Sequence, residues 1–346
     1  MNAQVHAGET TPIALPVDTR GRPLRDLRVS VIETCNYRCP YCMPEASTPP
    51  ETALDRQRRL DFDQIEKAVR SFVRLGVRKL RLTGGEPLLR KDLPALVARL
   101  ARIPGVDDLA LTTNASLLAG KAKALRVAGL RRLTISLDAL DPATFRAMSG
   151  GRGEVADVLA GIAAAEAAGF NALKFNTVVQ RGVNEDQVLP LVERFRGTPH
   201  VLRFIEYMDV GTCNGWRPEE VVPSRELHDR IHARWPLRPL QPGYRGEVAA
   251  RHAFEDGRGE IGFVSSVSAP FCGDCHRARL SADGQLFTCL FATRGLDLRP
   301  ALQQDGADAL DQLLASAWTQ RADRYSELRD SSRRDRKKIE MFFIGG

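Results

Sequence analysis

Six short runs of branched and apolar residues, most of them followed by an amphipathic stretch, constrain the fold of this chain more than any other feature. The runs span 27–32, 79–83, 109–112, 133–137, 172–179 and 201–206, and their composition predicts buried strands. The stretches 63–75, 93–102, 117–128, 155–168 and 185–196 predict helices, several of them stopped by glycine. Strand followed by helix, repeated in this way, demands a parallel sheet with right-handed crossovers. Six units are too few to close an eightfold barrel. The expected fold is therefore α/β, an open barrel with a wide lateral cleft and its chemistry at the C-terminal strand edge. Residues 1–20 are polar and aperiodic, which predicts an unpacked leader, and 21–240 carry the barrel. From 241 to 346 the text is richer in Pro and Gly, with short strands expected at 246–253 and 260–264.

The 346 residues include seven cysteines, and six of them fall into two triplets. Cys35-Asn36-Tyr37-Arg38-Cys39-Pro40-Tyr41-Cys42 places three thiols just after the first strand. Three thiolates at this spacing can hold three corners of a cuboidal iron–sulfur cluster and leave one iron open to a ligand. Zinc sites more often come as two close pairs, so zinc is the weaker alternative. Cys272, Cys275 and Cys289 form a second trio, again without an evident fourth ligand. A second cluster with an open iron, or zinc, would fit this spacing. Arg277 and Arg279 follow at alternate positions of a β pattern, which puts both guanidiniums on one face. There they suit a phosphate-bearing ligand, against the plainer reading of surface arginines. Cys213 stands alone and reads as a free thiol.

No apolar run approaches the length of a membrane span, and no signal or transit pattern opens the chain, so a reducing cytoplasm is the expectation. The net charge of +7 is modest and scattered, which argues against nucleic acid as partner. The dense run Arg333-Arg334-Asp335-Arg336-Lys337-Lys338 reads as a solvated tail.

The first triplet resembles the signature of the radical S-adenosylmethionine superfamily. With Cys-x2-Cys-x-Arg-x-Arg and a distant cysteine late in the chain, and a Gly345-Gly346 end, the whole is similar to the GTP 3′,8-cyclase family of molybdenum-cofactor biosynthesis. The resemblance implies a partial (β/α)6 TIM-like barrel with a C-terminal extension carrying a second iron–sulfur site. It also implies two [4Fe-4S] clusters, S-adenosylmethionine as cofactor and GTP as substrate. An electron donor and the next enzyme of the pathway are the implied partners, with monomer or homodimer left open. Residue by residue, it assigns Cys35, Cys39 and Cys42 to the cofactor cluster, and Cys272, Cys275 and Cys289 to a substrate cluster. Tyr41, Gly85, Ser136 and Met208 match contacts to S-adenosylmethionine. Arg28, Lys79, Arg81, Thr112, Lys174, Arg203, Arg277 and Arg279 match contacts to GTP. Most of these cations lie in predicted strands, where a parallel sheet should be nearly all apolar. An anionic ligand in the lumen would account for them, as would pairing with carboxylates such as Glu206. Gly84-Gly85-Glu86-Pro87 would let the main chain approach a ligand, or is simply a turn.

Overall fold

The structure is a computed structural model and describes residues 15–47, 56–329 and 337–345. Its frame is one twelve-stranded sheet in the order β12-β11-β10-β1-β2-β3-β4-β5-β6-β9-β8-β7. The first six strands are β1 Asp26–Ser30, β2 Lys79–Thr83, β3 Asp108–Thr113, β4 Arg132–Ser136, β5 Lys174–Val179 and β6 Val201–Glu206. All pair in parallel, as the alternation demands. Two of them coincide with the expected runs to the residue.

The C-terminal region enlarges this sheet. β9 Glu260–Val264 pairs in parallel with β6, and β10 Arg277–Leu280 pairs in parallel with β1. Antiparallel ribbons finish both ends: β7 Leu237–Pro239 and β8 Ala250–Phe254 beyond β9, β11 Gln285–Phe287 and β12 Leu296–Asp297 beyond β10. The eight parallel strands do not close, because β9 and β10 are bordered by these ribbons and not by each other. The division expected near 240 falls between β7 and β8, and the sheet runs through it without a break.

Alternation along each strand sorts the residues into two faces. Leu27 and Val29, Leu80 and Leu82, Phe175 and Val179, Leu202 and Phe204 are buried in the main hydrophobic core. Over them lie α1 Phe62–Arg74, α2 Leu93–Ala101, α3 Ala122–Val127, α4 Pro142–Met148, α5 Val155–Ala167 and α6 Val188–Phe195. Asp61 starts α1 with a capping box, accepting from Gln64 N at 2.8 Å while Gln64 Oε1 accepts from Asp61 N at 3.0 Å. Helix α3 is shorter than the expected 117–128, since 117–121 form turns ahead of it. Helices α7 Ser224–His232, α8 Arg299–Gln303 and α9 Asp308–Thr319 complete the set, with a terminal turn at Met341–Ile344.

Three expectations need correction. Glu206 does not pair with lumen cations. Its carboxylate faces the other way and accepts from Ser224 N, Val267 N and Ser268 N at 2.7–2.8 Å. Of the basic run near the end, 333–336 lie outside the described residues, but Lys338 is buried against Asp209 and not solvated. The expected leader is outside the described residues as far as 14. Beyond it Asp18 is buried, holding Arg22 and Arg321 through its carboxylate.

Candidate active site

The face opposite the helices lines one cavity of about 370 Å³. Every expected site residue among the described ones borders it except Gly345, which sits against Thr83, itself a wall residue. Gly346 lies outside the described residues.

Cys35, Cys39 and Cys42 occupy the loop after β1, at the C-terminal edge of the sheet. Backbone bonds set the loop's shape: Cys42 N and Met43 N both donate to Cys39 O, at 3.0 and 2.9 Å. Arg38 Nη1 donates to Cys35 O at 2.6 Å. The Gly84-Gly85-Glu86 segment, at the end of β2, is laced to the same loop by Gly85 N to Ile32 O and Glu86 N to Thr34 O, each 2.8 Å. A Cβ on Gly85 would coincide with the Thr34 carbonyl, so only glycine permits this approach. The Glu86 carboxylate accepts from Leu88 N, Thr113 Oγ1 and Asn114 N, fastening β2 to β3. Burial raises it to about 7. Tyr41 donates to Asp138 Oδ2 at 2.8 Å, and Asp138, raised by burial to about 6, also accepts from Val178 N.

The second trio stands at the opposite end of the lumen. Cys272 and Cys275 precede β10, whose first residue, Arg277, is level with Asp26 at the start of β1; Cys289 follows β11. Arg22 Nη1 donates to Cys272 O at 2.6 Å and Arg321 Nη1 to Cys275 O at 2.7 Å, with Asp18 bonded to both arginines beneath.

The thiols have distinct electrostatics. Burial pushes Cys35 up to about 11, with Glu86 adding to the rise, and pushes Cys39 and Cys42 up as well, helped by neighbouring thiols. Burial also acts on Cys275, but Arg277 and Arg321 outweigh it and bring that thiol down to about 6. Cys289 is raised to about 12 by burial and then by Asp323. Buried thiolates of the first trio need a positive partner of the kind an iron cluster supplies. All six are free thiols, and among the described residues no three His, Cys, Asp or Glu side chains converge as they would on a single ion. The first trio's donor set fits a cuboidal cluster that takes one thiolate at each of three corners.

Between the trios the lumen is cationic. Register sets Arg28 level with Arg279 on one side and Arg81 on the other, and Arg203 level with Asn176. Arg81 Nη1 donates to Thr112 Oγ1 at 3.1 Å and Thr134 Oγ1 at 2.9 Å, so neutral hydroxyls, not carboxylates, hold it. Nε of Arg203 and of Arg279 is buried with no hydrogen-bond partner. Burial, then mutual repulsion, lowers Arg203 to about 9, Arg279 to about 10 and Lys174 to about 8. Such a concentration of buried positive charge is relieved by a polyanion.

Wall residues that the sequence reading did not pick out include Asp26, Asp108, Arg132, Tyr244 and Glu247. Asp108 forms an ion pair with Arg132. The alternation that exposed Lys79 and Arg81 also covers Asp26, Asp108 and Arg132. Nothing in the local sequence marks Tyr244.

The chain's end enters the same space. Met341 lines the cavity, Phe342 and Ile344 are buried, and Gly345, at φ +66°, packs against Thr83 Oγ1. Glu340 ties the tail down by accepting from Thr212 N at 2.9 Å and Cys213 Sγ at 2.8 Å.

Comparison with known proteins identifies the family. The Radical SAM superfamily matches residues 29–195, and Molybdenum Cofactor Synthesis C matches 200–327. A GTP 3′,8-cyclase of Xanthomonas campestris pv. campestris is 68% identical, covering 96% of this chain and 98% of the relative. Another, of Acidothermus cellulolyticus, is 51% identical over 95% and 98% of the two chains. Among solved structures, Streptococcus suis SuiB bound to precursor peptide SuiA superposes with a TM-score of 0.62 at 13% identity, covering 88% of this chain and 66% of that one. At such identity the likeness bears on the fold alone. The two cysteine trios, their order in an open barrel and the near full-length match to relatives of one name lead to a single assignment: the chain belongs to the GTP 3′,8-cyclase family of the radical S-adenosylmethionine superfamily.

Proposed function

We propose that this chain converts GTP to 3′,8-cyclo-7,8-dihydroguanosine 5′-triphosphate, the first step of molybdenum-cofactor biosynthesis. One observation carries the reading: a single cavity joins two thiol trios through a wall of cations, where Arg81 is held by neutral hydroxyls and the Nε of Arg203 and of Arg279 has no partner. In this reading Cys35, Cys39 and Cys42 would hold the [4Fe-4S] cluster that binds S-adenosylmethionine, and Cys272, Cys275 and Cys289 would hold a second cluster on the substrate side. Cluster and cofactor, when bound, would supply the radical chemistry that takes the 3′ hydrogen of the ribose, and closing C3′ onto C8 then takes one electron from the donor and one proton to reach the dihydro product.

The chain's own residues bind and orient. Main chain at Gly85, the fixed Tyr41 ring, Ser136 and Met208 surround the cofactor at the C-terminal edge. Arg28, Lys79, Arg81, Lys174 and Arg203, with Thr112, hold the triphosphate deeper in the lumen, and Arg277 and Arg279 stand beside the second trio. Guanidiniums serve in positioning, being poor acids near neutral pH. Holding the ribose so that one hydrogen meets the radical is where such positioning acts on rate. The reaction also needs an electron donor and a following enzyme that consumes the product, and the cytoplasm suits both. No helix among the described residues is long and apolar enough to cross a membrane.

Anaerobic reconstitution, then incubation with reductant, S-adenosylmethionine and each nucleoside triphosphate in turn, tests the reading. Formation of 5′-deoxyadenosine that requires GTP, with deuterium transferred from the 3′ position, is the expected result. Equal formation with ATP, or none with GTP, refutes it.

The tail gives a second expectation. Gly345→Val puts a β-branched residue at positive φ and a Cβ onto Thr83 Oγ1, a strain of about 1–3 kcal/mol that the tail escapes by leaving the lumen. Cyclised product should fall about tenfold or more, by the strain converted to a rate, and carboxypeptidase should trim the variant faster. Unchanged trimming would show that the tail stays in place.

A further inference from the structure

The two sides of the open barrel, β9 and the approach to β10, are joined by a strap at the N-terminal end of the lumen. The strap is the connection between β7 and β8. Ala249 packs over Gly262 of β9, where an added Cβ would lie 3.2 Å from its own. At the other edge, Arg245 Nε pairs with Asp274 Oδ1 at 2.7 Å, and Gly246 lies against Asp274 O and the His276 ring, just before β10. Glu247 Oε2 accepts from Gly243 N at 2.7 Å and holds the strap's own turn.

Tyr244 rides on this strap. Its ring lies over Lys79 Nζ at 3.3 Å from the centroid, a close cation–π contact at the first residue of β2. Asp26, Glu247, Arg132 and Arg81, from β1, the strap, β4 and β2, line the same cavity as the ring. Tyr244 is 43% exposed and lines the cavity, so it stands at the N-terminal mouth of the lumen. Asp26, Asp108 and Glu247 bring negative charge to this end, and Asp26 Oδ1 has no hydrogen-bond partner. Lys174, Arg203 and Arg81 line the same cavity. A polyphosphate drawn inward by those cations therefore ends against an aromatic ring backed by carboxylates.

We propose that Tyr244, held by the strap, is the residue that sets phosphate-chain length: it closes the phosphate end of the lumen so that a nucleoside triphosphate fits and a nucleoside tetraphosphate does not. The proposal rests on the nucleotide reading above and assigns its selectivity to one residue. Extending the chain by one phosphate would require displacing the ring from Lys79 and bringing anionic oxygens against Asp26 and Glu247. Selectivity here is a difference of affinities made by an obstruction as well as by attraction.

The test is calorimetric binding of GTP and guanosine 5′-tetraphosphate to the reconstituted holoenzyme and its variants. Wild type should favour GTP by about tenfold or more, the scale of one displaced cation–π contact with added like-charge repulsion. Tyr244→Ala should bring the two ligands to near equality, and Tyr244→Phe, which keeps the ring, should keep the preference. Tyr244→Leu serves in place of the alanine variant if that one fails to incorporate both clusters. Tight GTP binding by wild type with an unchanged preference in the alanine or leucine variant overturns the proposal and leaves the nucleotide reading standing. Failure of wild type to bind GTP at all overturns that reading, and the proposal with it.

Discussion

Cys39→Ser is expected to abolish cleavage of S-adenosylmethionine, whereas Cys289→Ser should leave cleavage measurable and remove the cyclised product. The two variants separate the ends of the lumen. Cys39 sits in the loop that Gly85 and Glu86 brace, and its carbonyl organises the turn to Cys42. In the proposed reading its thiolate is one of the three that would hold the first cluster, so 5′-deoxyadenosine should fall by at least about a thousandfold, roughly 4 kcal/mol of transition-state stabilisation. Cys289 lies beyond β11 at the other end, and its loss disturbs neither that loop nor the Gly85 segment. Iron per chain should drop by about half in each variant if each trio holds its own cluster. The measurements are iron content, 5′-deoxyadenosine and cyclised nucleotide on the same preparations. Equal loss of cleavage in both, or zinc in place of the missing iron, would refute separate duties for the trios.

How much of this could be read before the fold was known depends on how local the signal is. Lys79–Thr83 and Val201–Glu206 are readable to the residue, because each is a compact run of branched and apolar residues, with Lys79 and Arg81 on one face of the first and Arg203 on one face of the second. The same alternation explains the lumen: side chains at 79, 81 and 203 face inward while Leu80, Leu82, Leu202 and Phe204 go to the helices. The parallel pairing of β9 with β6 and β10 with β1 was not readable, since such pairs are long-range and leave no periodicity in either segment. Helix α4 did carry its signal, Asp141 at the cap with Pro142 after it and Asp141 Oδ2 accepting from Thr144 N, but seven residues are too few to show a helical period. At the site, cysteines and arginines announced themselves by spacing. Glu86 and Asp138, which hold the cofactor side together, are single carboxylates whose role appears only once burial and partners are known. Tyr244 lies in an aperiodic loop and acquires meaning only from the ring's place over Lys79.

Asp209 joins the barrel to the tail, and its replacement should release the tail without unfolding the barrel. Its carboxylate accepts from Arg329 Nε at 3.0 Å, Tyr325 Oη at 2.5 Å and Lys338 Nζ at 2.9 Å, and its backbone carbonyl accepts from Lys338 again at 2.6 Å. Side-chain exposure of Asp209 and Lys338 is 5% and 2%, so the pair is cut off from water. Asp209→Ala leaves two buried cations without their partner, a loss of about 3–5 kcal/mol. The strands of the barrel do not depend on this network. Amide exchange in 325–329 and 337–345 should therefore accelerate by about a hundredfold or more, by that energy, while β2 and β6 keep their protection. Asp209→Ala combined with Lys338→Met removes one stranded charge and should recover part of the loss, because an apolar replacement has no desolvation to offset. Burial tends to raise the Asp209 carboxyl, but Arg329, Tyr325 and Lys338 outweigh it and hold it below its ordinary value of 3.8. A depressed carboxyl contributes stability that is complete above its unfolded value and is lost as pH falls through the lower folded one. The tail's protection should accordingly persist through mildly acidic pH and disappear only below about 3.9, the ordinary range of an unfolded aspartate. Protection lost already near pH 6, or an Asp209→Ala tail that exchanges as slowly as wild type, would show that other contacts hold the chain's end in the lumen.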